Sequence, residues 1–150
     1  MIVVSRNRQA RPVLDGHTLQ RVAEVAFAQT GSRDGTVELE VGTAFVNDAQ
    51  MTEFHRDFLN KSTTTDVLSF PSDDARGEQE DPGYRGDVIV CTDQAARQAR
   101  DLGIPYRAEL VILTLHGFLH LLGHDHTRDR GEMTRLEEAL RPLALRGGFR

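Results

Sequence analysis

The chain has 150 residues, a length that fits one compact domain over residues 1–150 with a sizeable core. Hydrophobic residues make up 39% of the chain and charged residues 27%, which excludes a collagen-like or low-complexity chain. Cys91 is the only cysteine, so a disulfide scaffold is also excluded. The formal net charge of −5 excludes binding to nucleic acid through bulk positive charge, so a polyanion site requires a local basic patch.

The order of apolar and basic residues bears on localisation. Near the start of the chain a short apolar run precedes the arginines, which is the reverse of the order in a secretory signal. The longest apolar run, Leu110 to Leu122, is interrupted by His116 and His120, which argues against a membrane span. We therefore expect a cytoplasmic protein with no membrane association.

Apolar periodicity in the first part of the chain predicts two strands and two helices. We predict a strand at 2–5, a helix at 18–30, a strand at 37–46 and a helix at 49–58. Gly42 is predicted to mark a β-bulge, because the alternation of apolar residues changes phase there. Asp48 is predicted to cap the helix that follows.

The second part of the chain predicts two more strands and three helices. We predict strands at 66–70 and 87–91, joined by an acidic loop at 72–85, and helices at 92–102, 106–122 and 128–140. Thr92 is predicted to cap the first of these helices and Gly103 to end it, and residues 143–150 are predicted to form a loose tail. The expected fold class is therefore α+β, a small mixed sheet packed with about five helices around a central apolar helix.

Four of the six histidines lie between residues 116 and 126. His116 and His120 are four residues apart on the central helix, so both imidazoles project from one face. Gly123 can end the helix and turn the chain back, which would bring His126 to the same ion. Three imidazoles with a fourth coordination position open are typical of a catalytic zinc site. We predict one metal ion held by His116, His120 and His126. Imidazoles suit zinc, nickel, copper and iron alike, and the open three-histidine pattern favours Zn²⁺.

A histidine on an apolar helix can also be an ordinary hydrogen-bonded core residue. Three of them around a turn are harder to explain in this way, because each buried ring must find a hydrogen bond or a metal. We interpret His124 as exposed rather than as a ligand. Asp125 is interpreted as a turn former or as an acceptor behind the ligands.

The spacing of the histidines invites comparison with metallopeptidases. Their helix carries H-E-x-x-H, in which the glutamate is the general base. Position 117 holds glycine here, so a metallopeptidase is the least favoured alternative.

The segment HGFLHLLGHDH at 116–126 resembles the H-G-x-L-H-L-x-G-Y-D-H signature of the YbeY family. These are bacterial zinc-dependent endoribonucleases of ribosomal RNA maturation and ribosome quality control. TDVLSFP at 65–71 and GDVI at 86–89 resemble two further segments of that family. The resemblance implies an α+β fold, metal ligands at His116, His120 and His126, a ribosomal RNA precursor as substrate, and the ribosome or small-subunit proteins as partners.

One departure from the family pattern concerns an arginine that the family places before the segment TDVLSFP at 65–71. Counting back from Thr65 puts that position at Leu59. Arg56, one helical turn earlier, or Lys61 is our candidate for supplying this charge. Arg56 is the candidate for catalysis, and Arg56, Lys61 and Arg6 are the candidates for an RNA-binding groove. Each of these residues is equally well explained as an exposed, solubilising side chain.

The leading hypothesis is a metal-dependent hydrolase that cleaves single-stranded RNA. Zinc would lower the pKa of its bound water towards about 7, so that hydroxide attacks a phosphodiester. No carboxylate general base is evident from the sequence. The main alternative is a ribosome-assembly binding factor in which the metal mainly stabilises the fold.

Overall fold

A computed structural model of the chain describes residues 1–28, 38–59, 65–72, 83–122 and 131–146. Its elements, in chain order, are β1 (Ile2–Asn7), α1 (Gly16–Phe27), β2 (Glu40–Val46), α2 (Asp48–Leu59), β3 (Val67–Pro71), β4 (Tyr84–Cys91), α3 (Thr92–Leu102), α4 (Tyr106–Leu121) and α5 (Glu132–Ala144). Within these ranges the predicted α+β class, with five helices and a mixed sheet, is confirmed. No helix in the described ranges is both long and apolar enough to cross a bilayer.

The sheet has the strand order β1-β2-β4-β3 across the described residues. Strands β1, β2 and β4 run parallel, and β3 pairs antiparallel with β4. Ser69 is the register partner of Val88. This pairing places β3 at an edge of the sheet, beside α4.

The two faces of the sheet carry different helices, because alternate residues of each strand point in opposite directions. On one face, Phe45, Val88 and Val90 join the core that α1, α4 and α5 complete. On the other face, Leu68 and Ile89 pack with residues of α2. Helix α4 also contacts α1, α3 and α5, so the predicted central position of the apolar helix is confirmed.

The position of the bulge predicted at Gly42 is confirmed, because the register of β2 against β4 shifts between Glu40 and Gly42, but its assignment to β2 is wrong. Glu40 pairs with Tyr84, and Gly42 pairs with Asp87. The pairing therefore advances by two residues along β2 and by three residues along β4, so the extra residue lies in β4. Beside it, Gly86 has a φ of 126°, a left-handed conformation that glycine adopts readily. Gly42 serves another purpose, because a Cβ at this position would collide with the carboxylate of Asp87.

The predicted cap of α2 is also wrong, by one residue. The Oδ1 atom of Asn47 accepts a hydrogen bond from the backbone N–H of Gln50 at 2.9 Å. The side-chain Oε1 of Gln50 accepts the backbone N–H of Asn47 at 2.9 Å, which completes a capping box. Asp48 is the first helical residue, and its carboxylate accepts two hydrogen bonds from Arg97, each of 2.8 Å. The Asp48 side chain, which the sequence had suggested as the cap, is therefore engaged in an ion pair with Arg97 instead.

The predicted cap at the start of α3 is wrong, and the predicted end of this helix is confirmed. Thr92 is already helical rather than the cap, and the residue before the helix, Cys91, makes no side-chain capping bond. The Thr92 hydroxyl donates instead to the carbonyl of Val46 at 3.1 Å, which ties α3 to the end of β2. Gly103 ends the helix with a φ of 68°, as predicted.

Helix α5 continues past its predicted end at residue 140. It reaches Ala144 and includes Pro142, so the prediction of a loose tail is wrong for residues 143 and 144. The reason is burial: Leu140 and Ala144 lie one turn apart, and both join the main core.

Candidate metal centre

The last turns of α4 present two imidazoles side by side. The Nε2 atoms of His116 and His120 lie 3.0 Å apart, and the ring centroids lie 4.6 Å apart. Two ligands of one tetrahedral ion with bonds of 2.0–2.1 Å would have nitrogens about 3.3 Å apart. The two histidines therefore fit a shared metal ion, in the arrangement that the i, i+4 spacing predicts.

Gly117 allows this part of α4 to approach the sheet. A Cβ at position 117 would lie 2.5 Å from Cγ1 of Val88 and 3.1 Å from Cγ2 of Val67. The hydroxyl of Ser69 donates to the carbonyl of Gly117 at 2.9 Å, which joins the helix to β3. A glutamate at 117, as in metallopeptidases, has no room in this packing.

The two histidines line a cleft of about 280 Å³ between α4 and β3. Its lining comprises Asp66, Val67, Leu68, Ser69, Pro71, His116 and His120. Asp66 Oδ1 accepts the backbone N–H of Val67 at 2.8 Å, and Asp66 Oδ2 accepts from Gln98 Nε2 at 3.2 Å. These bonds fix a carboxylate in the wall of the same cleft, a feature that the sequence analysis did not single out.

A second carboxylate reaches the histidines from α5. The Nδ1 atom of His116 contacts Oε1 of Glu137, whose side chain is only 12% exposed. The other carboxylate oxygen lies 3.6 Å from Nη2 of Arg141. The sequence analysis missed Glu137. The available signal was its position next to Leu136 and one turn after Met133, on a helix already predicted to pack on the core.

Glu109 is a third carboxylate in this region and is buried, at 4% exposure. Burial raises the pKa of Glu109, and the negative charge of Asp66 raises it further, while Arg141 opposes the shift. Glu109 lies seven residues before His116, two turns away along α4. Helix α4 therefore carries an acidic group in its buried part as well as imidazoles at its end.

The other predicted ligand and its neighbours lie outside the described residues. These are Gly123, His124, Asp125 and His126. Among the residues that the structure does describe, no group of three histidine, cysteine or acidic side chains is arranged to hold a metal ion. The prediction of a three-histidine site therefore stays a prediction, supported by two of its members.

Arg6 and Arg56, two of the three basic candidates for RNA binding, do not line the histidine cleft. Helix α2 packs on the opposite face of the sheet from α4, and its Arg56 is exposed, 3.6 Å from Asp57. Arg6 lines a separate cleft of about 370 Å³, which includes Tyr84 and Asp87. Lys61 lies outside the described residues. The RNA-binding roles of all three basic residues stay predictions.

Fold and site together define an α+β protein whose central helix carries a histidine pair beside a cleft at the sheet edge. Residues 5–143 match the sequence model of the family described as "Endoribonuclease YbeY". The chain belongs to the YbeY family, so the resemblance drawn from its motifs is confirmed.

Proteins named Endoribonuclease YbeY are similar to the chain over most of their length. The Syntrophotalea carbinolica protein is 37% identical over 133 residues, 89% of this chain and 86% of the relative. The Geobacter sulfurreducens protein is 34% identical over 144 residues, 95% of this chain and 93% of the relative. A solution structure of a Thermotoga maritima protein matches with a TM-score of 0.62 at 21% identity, covering 96% of this chain and 89% of that one. The structural match supports the fold.

Proposed function

We propose that the chain is a zinc-dependent endoribonuclease that cleaves single-stranded ribosomal RNA precursors in the cytoplasm, in ribosome maturation and quality control. Two arguments support this. The chain belongs to a family whose similar members are named endoribonucleases. The Nε2 atoms of His116 and His120 converge to 3.0 Å at the cleft, which is the observation that carries the proposal. The ribosome or small-subunit proteins are the proposed partners.

His116, His120 and His126 would hold the ion. Bound zinc supplies Lewis acidity and lowers the pKa of a water towards about 7. The chain contributes the surroundings: Glu137 contacts Nδ1 of His116, and Ser69 anchors the helix to β3. Asp66 is the carboxylate that lines the cleft, and we assign it as the acceptor for the proton of the attacking water.

The test is cleavage of a single-stranded RNA by purified, zinc-loaded protein, with elemental analysis of the same samples. We expect about one zinc ion per chain, and loss of both zinc and cleavage in His120→Ala. His17→Ala is the matched control, because His17 is exposed on α1. Equal cleavage by His120→Ala and the native protein would assign the activity to a contaminant and overturn the proposal.

The second candidate function is a ribosome-assembly binding factor with a structural metal. It is favoured by the position of Arg6 and Arg56, which do not line the histidine cleft. Melting with and without a chelator, beside the RNA assay, separates the two functions. A large loss of thermal stability on chelation, with no cleavage in either state, would favour the binding factor.

A further inference from the structure

His116 is held from both sides of its ring. Its Nε2 atom faces His120 at 3.0 Å, while its Nδ1 atom contacts Oε1 of Glu137 from α5. The carboxylate of Glu137 is in turn approached by Arg141, with Nη2 at 3.6 Å from Oε2. Two residues of one helix, four positions apart, therefore support a single imidazole on another helix.

This arrangement determines which ring nitrogen can bind a cation. A neutral imidazole carries one N–H, and a carboxylate at Nδ1 accepts that proton in a hydrogen bond. The lone pair is then on Nε2, the atom that points towards His120 and the cleft. Histidines that bind metals commonly donate their second ring nitrogen to a carboxylate in this way, which fixes the tautomer and the ring orientation.

We propose that Glu137 is a positioning residue for the metal ligand His116, and that Arg141 orients the Glu137 carboxylate. The inference rests on the proposed function, because it presupposes that His116 binds the ion. It makes α5 part of the metal site, although that helix contributes no ligand. It also gives a functional reason for a carboxylate that is 12% exposed beside an apolar core.

The variants Glu137→Ala and Glu137→Gln test the proposal, with Glu138→Gln as the matched control. Glu138 is the next residue of the same helix and is exposed, so its change removes one carboxylate without touching His116. Zn²⁺ affinity is measured by competition with a chromophoric chelator, and the absorption spectrum of the Co²⁺-loaded protein reports ligand geometry. Circular dichroism and melting without metal record the folding of each variant.

We expect Glu137→Ala to weaken Zn²⁺ binding by about 10–100-fold and to change the Co²⁺ spectrum. Glu137→Gln keeps an acceptor at Nδ1 and the shape of the side chain, so its affinity should fall between those of Glu137→Ala and the native protein. Glu138→Gln should bind like the native protein. A folded Glu137→Ala variant with native affinity and a native spectrum would overturn the inference alone, whereas a native protein that binds no zinc would overturn the proposed metal site as well.

Discussion

The backbone of Gly117 on α4 lies directly against the side chain of Val88 on β4. A Cβ on Gly117 would approach Cγ1 of Val88 to 2.5 Å, closer than real Cβ contacts allow. The glycine therefore sets the distance between the central helix and the sheet. Because His116 precedes Gly117 directly, the same contact sets how far the imidazoles stand from β3.

Gly117→Ala should destabilise the fold. The added methyl group forces Val88 or the helix to move, and overpacking of this kind costs about 1–3 kcal/mol. Denaturant unfolding of the metal-free protein measures the change in the free energy of unfolding. Zinc affinity should fall as well, because the displaced helix end carries both histidines.

Gly16→Ala is the control for that variant. Gly16 is also the glycine of a helix, and a Cβ there would have no heavy atom within 4 Å. The alanine should leave the free energy of unfolding unchanged or raise it by up to about 1 kcal/mol, through the lower entropy of the unfolded chain. Alanine has a higher helix propensity than glycine, so an equal loss of stability in both variants would show that the loss in Gly117→Ala is not specific to the contact with Val88.

The parts of the site that follow from local spacing could be predicted from the sequence. His116 and His120 share one helix, so their separation of four residues determines that their rings meet. Glu137 contacts His116 across 21 positions of the chain, and that contact depends on how α5 crosses α4. Periodicity identifies the buried side of α5, but it does not specify the helix of the core that this side meets.

Distant contacts also contribute to the errors in the predicted helix ends. Asn47 and Asp48 are both good capping residues, and Gln50 gives Asn47 the spacing of a capping box, a local signal that the sequence analysis missed. Arg97, 49 positions along the chain, adds a distant contact, because it binds the Asp48 carboxylate. Helix α5 was predicted to end at residue 140, but the burial of Ala144 extends it past Pro142.

Asn47→Ala should destabilise α2 and with it the protein. The change removes the acceptor for the backbone N–H of Gln50, and loss of such a cap costs about 1 kcal/mol. The free energy of unfolding in urea measures it. Glu53→Ala, at an exposed position of the same helix, should change this free energy by less than about 0.5 kcal/mol. A larger loss in Glu53→Ala than in Asn47→Ala would contradict the assignment of the cap.

Glu109→Gln should change how stability depends on pH. The pKa of Glu109 is raised above its ordinary value of 4.5 by burial and by Asp66, so between these two pKa values the folded state binds more protons than the unfolded state. The contribution of Glu109 to the free energy of unfolding is therefore fully present below pH 4.5 and is lost as the pH rises through the raised pKa. Glutamine does not titrate, so the variant should gain stability relative to the native protein as the pH rises towards neutrality.

Urea unfolding of the metal-free proteins at several pH values between about 4.5 and 7 measures this difference. Glu138→Gln, at an exposed position of α5, controls for the loss of one negative charge. A constant difference between Glu109→Gln and the native protein across this range would show that Glu109 titrates alike in both states.

Asp66→Asn should slow RNA cleavage without removing the metal. Asparagine keeps the shape of the side chain and an oxygen for the backbone N–H of Val67, so the end of β3 should stay in place. What is lost is the carboxylate that lines the histidine cleft, and removal of a general base typically costs about 10²–10⁴-fold in rate. Single-turnover cleavage and zinc content are measured on the same preparation, with Asp57→Asn on the exposed surface of α2 as the control. Native cleavage rates in Asp66→Asn at full zinc content would show that another group takes up the proton.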